Sequence, residues 1–147
     1  MPITDLNHYF VRSRDLERSR RFYCDALGFQ VMPRPGFPFP GYWLGVNGKV
    51  QVHMGLDGIA GEAAYYLGTS PASARDNAGV VDHIAFQCTD AEGMMRRLVA
   101  HGLPTRTRYI AEVKLLQIFV ADPDGLMIEL NFPGLEHVAQ WAGAANA

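Results

Sequence analysis

The sequence predicts an α+β fold made of two copies of one strand–helix–strands unit. Three observations carry this expectation. Leu6 to Arg12 and Val81 to Gln87 are apolar runs of strand length, each with one histidine at the same point, His8 and His83. Seven residues after each histidine stands an aspartate, Asp15 or Asp90, where helical periodicity begins. His8 and His83 lie 75 residues apart, and His53 and Glu129 lie 76 apart. Self-similarity at a fixed period marks a repeated supersecondary unit.

The elements follow in order. Asp15 is an N-cap, because a short carboxylate accepts the orphan amide hydrogens of a first helical turn. Leu16, Ser19, Phe22, Tyr23 and Ala26 then share one helical face, and Gly28 stands where a left-handed residue ends a helix. A short extended stretch follows. Pro33 to Trp43 holds four prolines and reads either as a stiffened surface loop or as an aromatic wall beside a pocket. Asn47-Gly48 turns the chain into a strand over 49–54. Gly55 to Gly79 holds five glycines and six alanines and reads as a linker or flap. The second copy repeats the order. Asp90 caps a helix with Ala91, Met94, Met95 and Leu98 on one face, Gly102 ends it, and Asp122-Pro123-Asp124-Gly125 turns into a strand over 126–131. The copies span about 5–54 and 80–132, with a linker over 55–79 and a tail over 133–147 in which residues 135–142 have a helical pattern. The whole, 1–147, reads as one domain.

Composition excludes several classes. The net charge of -2 gives no basic field for nucleic acid or an anionic membrane surface. No apolar run approaches the roughly 20 residues of a membrane span. Met1 to Asp5 is too short and polar for a secretory signal. Cys24 and Cys88 sit in apolar patterned segments and read as buried free thiols, which fits a reducing cytoplasm.

A strand sends alternate side chains to opposite faces. His8 therefore shares a face with Phe10 and Arg12, His53 with Gln51, His83 with Gln87, and Glu129 with Asn131. A polar group in the middle of an apolar strand needs a partner. If the two copies pack about a pseudo-twofold axis, these four residues face one space. Imidazoles plus a carboxylate are the donors a borderline divalent metal takes.

With these residues in place the chain resembles the vicinal oxygen chelate superfamily of glyoxalases, extradiol dioxygenases, epimerases and antibiotic-resistance proteins. The resemblance rests on His8 with Asp15-Leu16, Arg21-Phe22-Tyr23 and Leu27-Gly28-Phe29. In the second half it rests on Asp82-His83-Ile84-Ala85-Phe86 and on Asp122-Pro123-Asp124-Gly125 leading to Ile128-Glu129-Leu130. It implies two βαβββ modules forming a cup-shaped mixed sheet around a metal site, with helices outside. It implies His8, His83 and Glu129 as ligands of one divalent metal, Fe(II) or Mn(II) before Ni, Zn or Co. His53 stands where the family places a fourth ligand or an acid–base group, and with Glu129 it is the candidate catalytic pair. Phe10, Arg12, Gln117 and Phe119 are candidate substrate contacts. Phe119 replaces a tyrosine that extradiol enzymes carry at that point. The implied function is an extradiol-dioxygenase-like oxidoreductase acting on a small molecule with vicinal oxygens. The alternatives are a glyoxalase-like lyase or epimerase, and a protein that sequesters a small molecule without turnover. A homodimer is the expected assembly.

Overall fold

A computed structural model describes residues 6–62, 65 and 83–136. The chain divides after Ala78 into two compact units. Each contains one four-stranded mixed sheet. The expected helix at 135–142 and most of the expected linker lie outside the described residues.

The first unit runs β1 (Tyr9–Ser13), α1 (Leu16–Arg20), β2 (Gln30–Met32), β3 (Gly41–Val46) and β4 (Lys49–Leu56). The sheet order is β1-β4-β3-β2, with β1 parallel to β4 and the other pairs antiparallel. Asp15 caps α1 as expected, its carboxylate accepting from Arg18 N at 3.0 Å. The helix then widens into a π-helical segment, Arg21–Ala26, which the sequence pattern did not announce. Leu27 N bonds to Phe22 O at 3.1 Å, and the segment closes at Gly28 with φ +93°. Ser19, Phe22, Tyr23 and Ala26 are buried, as are Val11, Leu44, Val52 and Met54 of the sheet. Each such aliphatic side chain contributes about 1.5–3 kcal/mol on burial. Ser13 and Ser19 are fully buried hydroxyls that satisfy each other at 2.7 Å.

Two expected boundaries move. His8 stands just before β1 rather than within it, because the ladder to β4 begins at Tyr9↔Val52. Strand β4 continues through Gly55 and Leu56, since Gly55 is paired on both sides, to Arg12 and to Gly41. The Asn47-Gly48 turn is as expected, with φ +51° and +76°.

The second unit runs β5 (His83–Gln87), α2 (Ala91–Ala100), β6 (Thr105–Ile110), β7 (Leu115–Ala121) and β8 (Met127–Pro133). Its sheet order is β5-β8-β7-β6, with β5 parallel to β8. Asp90 accepts from Gly93 N at 3.0 Å, and Gly102 has φ +65°. Leu116, Ile118, Val120, Ile128, Leu130 and Phe132 are at most 2% exposed and form the core face beneath Ala91, Met95 and Leu98. The alternate residues of β7 and β8 make the opposite face, which carries Gln117, Glu129 and Asn131 among apolar side chains. Asp122 holds the last turn, its Oδ1 accepting from Asp124 N and Leu126 N at 2.9 Å each. Each unit is thus a βαβββ module, and the α+β class holds.

Candidate functional site

In the first unit the face of the sheet away from the buried core carries Phe10, Arg12, Trp43, His53 and Gly55. The register fixes this: Phe10 and Trp43 are both ladder partners of His53, and Arg12 is a partner of Gly55. His53 lies between two rings. His8 stacks on it with centroids 3.6 Å apart and planes 14° apart, and Trp43 stacks on it at 4.3 Å and 8°. His8 Nδ1 donates to Asn7 Oδ1 at 2.6 Å. Burial first, then the nearby His8 and Arg34 charges, pushes His53 down to about 4. Phe37 extends the aromatic run to Tyr65, and Arg34 lies over the Phe37 ring at 5.0 Å. The proline-rich stretch therefore supplies Phe37 and Trp43 to a run of rings that reaches His53.

Gly55 is a close-approach position. A Cβ there would meet Glu62 Oε1 and the Phe10 ring tip, each at 2.6 Å. Glu62 was not expected from the sequence. It is 5% exposed, and burial pushes its carboxyl above the ordinary value against the opposing pull of Arg12 and Arg34.

In the second unit His83 Nε2 lies 3.3 Å from Glu129 Oε2. The other carboxylate oxygen is fixed by Gln117, whose Nε2 donates to Glu129 Oε1 at 2.7 Å and to Asn131 Oδ1 at 3.1 Å. Gln117 Oε1 accepts from Arg108 Nε at 2.7 Å. The Gln117 amide is thus fully engaged, and in this structure it holds Glu129 rather than an open position. Phe119 shares the face, with the Arg106 and Arg108 guanidiniums at 5.3 and 5.6 Å from its ring centroid.

The donor chemistry fits a divalent metal. Two ligand atoms each about 2.0–2.1 Å from one ion stand about 3.0–3.4 Å apart, and the His83–Glu129 pair has 3.3 Å. The His8–His53 pair is different. Rings stacked 14° from parallel keep their lone pairs in two nearly parallel planes, so an ion in the plane of one ring lies out of the plane of the other. Among the described residues no group of three His, Cys, Asp or Glu side chains is placed to hold a metal. What each unit holds is a pair.

The two cysteines are half-buried rather than buried as expected. Cys24 and Cys88 are free and partly buried, and burial raises Cys88 to about 11. No helix among the described residues is long and apolar enough to cross a membrane.

A βαβββ module made twice, with histidine and carboxylate on a sheet face, defines a class, and sequence comparison gives it a name. The chain belongs to the Glyoxalase/Bleomycin resistance protein/Dioxygenase superfamily, whose model matches residues 5–130. It is 31% identical over 131 residues to Glyoxylase I 4 of Arabidopsis thaliana, covering 87% of this chain and 70% of that one. Its fold is similar to that of a lactoylglutathione lyase from Agrobacterium tumefaciens, with TM-score 0.62, 13% identity, and 90% and 96% of the two chains covered. It is similar also to TnmS3, an antibiotic binding protein from Streptomyces sp. CB03234, with TM-score 0.63, 21% identity, and 91% and 99% covered. At such identities the structural likeness shows the fold alone.

Proposed function

We propose that the chain is a divalent-metal-dependent enzyme that moves a proton on a small substrate with vicinal oxygens, as a glyoxalase-like lyase or isomerase. His8, His83 and Glu129 would hold the metal. The observation that carries this is the 3.3 Å separation of His83 Nε2 and Glu129 Oε2, with Gln117 fixing the other carboxylate oxygen. When bound, the metal supplies Lewis-acid polarisation of the substrate's adjacent oxygens. Gln117 and Asn7 orient the ligand side chains. His53 takes the proton at a ring nitrogen and returns it, while Trp43 holds that ring flat. The stacked geometry favours this acid–base role over coordination. The relative named as a glyoxylase supports the lyase or isomerase reading over ring cleavage, and so does Phe119, which has no hydroxyl to offer.

The test is metal content. Glu129→Gln and His83→Ala should each lower the metal-to-chain ratio sharply. An unchanged ratio in both variants refutes the ligand set. The two-histidine, one-carboxylate set also suits Fe(II) with O₂, so a dioxygenase is the second reading. Oxygen uptake by the Fe(II)-loaded chain on catechols would establish it. Tight ligand binding with no turnover under any metal would instead establish a sequestering protein. We propose further that the chain works as a homodimer in the cytoplasm.

A further inference from the structure

On one face of the second sheet a row of polar side chains runs across three strands. Arg108 of β6 is the ladder partner of Gln117 of β7, Gln117 is the partner of Asn131 of β8, and Glu129 stands two residues before Asn131 on the same face. The hydrogen bonds along this row have a direction. Arg108 Nε donates to Gln117 Oε1 at 2.7 Å, and Gln117 Nε2 donates to Glu129 Oε1 at 2.7 Å. Chemistry allows no other direction. A guanidinium only donates and an ionised carboxylate only accepts, so the amide between them turns its oxygen to Arg108 and its nitrogen to Glu129. Gln117 is 5% exposed, so an amide oxygen deprived of Arg108 has little water to replace the lost donor. Arg108 is itself seated, its guanidinium 5.6 Å from the ring centroid of Phe119, which is the ladder partner of Glu129. Arg106 lies over the same ring at 5.3 Å and, among the described residues, has no hydrogen bond to Gln117.

We propose that Arg108 is a positioning residue for Glu129, acting through Gln117. The two bonds keep Oε1 of Glu129 occupied and leave Oε2 as the oxygen that lies 3.3 Å from His83 Nε2. A carboxylate held in this way offers a metal one oxygen rather than two, which keeps coordination positions open for the two oxygens of a substrate. Without Arg108 the buried Oε1 of Gln117 lacks its donor, the amide turns away, and Glu129 loses the restraint that sets which oxygen it presents.

This role rests on the reading of Glu129 as a metal ligand. Zn(II) affinity of the full chain is measured by competition with a chromophoric chelator. Arg108→Met and Gln117→Leu should each weaken it by about 10–100-fold. The double variant should bind no more weakly than Gln117→Leu alone, because Arg108 has nothing to act on once the amide is gone. Arg106→Met removes the same charge from the same ring and should leave the affinity unchanged. A second readout uses the metal-free chain. The side-chain amide protons of Gln117, identified by their absence from the NMR spectrum of Gln117→Leu, should exchange with water about tenfold faster in Arg108→Met than in wild type or Arg106→Met. Arg108→Lys keeps the charge but sets a methylene where Nε stands, and it should show the same two losses if Arg108→Met does not fold. Additive losses in the double variant overturn the proposal. So does an equal loss in Arg106→Met, or unchanged amide exchange in the Arg108 variant. If Glu129→Gln leaves Zn(II) affinity unchanged, the metal reading fails, and amide exchange alone decides whether Arg108 holds Gln117 on Glu129.

Discussion

At the scale of single residues, the repeat displays the candidate ligands of the proposed site. His8, His83 and Glu129 stand at matching points of two copies, and His53 shares Glu129's place in its own copy. Glu62 was not legible, because it follows β4 in a glycine- and alanine-rich stretch where an acidic residue looks like solvated surface. Only the bare Gly55 beneath it and its burial reveal it. Gln117 was legible as a polar residue on the right face, but its orienting role needed the bonds to Glu129, Asn131 and Arg108. Gln117→Leu should therefore weaken metal binding by about 10–100-fold, as loss of an outer-shell partner does. Titration of the variant with a competing chelator checks this. His53→Ala should keep full metal content while turnover falls by about 10²–10⁴, measured on one sample. Glu62 makes stability depend on pH. Its folded pKa lies above its unfolded one, so its stabilising contribution is present in acid and is lost as pH rises through the raised value. Melting curves of wild type and Glu62→Gln should converge in acid and separate at neutral pH, with the variant higher.

At the scale of elements, caps and turns carried most of the expectation. Asp15 and Asp90 both accept the predicted backbone hydrogen, and both helix-ending glycines have positive φ. Replacing Asp15 by Ala should lower stability by about 1 kcal/mol. Gly102→Ala should cost about 1–2 kcal/mol, because a Cβ is strained at φ +65°. Urea denaturation measures both. The end of β4 was misplaced because Gly55 reads as a strand breaker. Ladder bonds on both sides override that preference. The π-helical segment was invisible because apolar residues at Phe22, Tyr23 and Ala26 fit an α-helical face equally well.

At the scale of the whole molecule, the period of about 75 residues was enough to divide the chain into two like modules, each with its own sheet and its own core. A homodimer should sediment at twice the chain mass at micromolar concentration, and a clean monomer would refute that assembly. The departure from symmetry is as informative as the symmetry. From capping aspartate to terminating glycine is 13 residues in the first module, Asp15 to Gly28, but 12 in the second, Asp90 to Gly102. The surplus residue falls where Leu27 N reaches back five residues to Phe22 O. A π turn absorbs one extra residue while leaving both helix ends on their partners. The π turn thus accounts for the one-residue difference between the two otherwise like helices. Deleting one residue from 21–26 should restore an ordinary α-helix between the same cap and the same glycine.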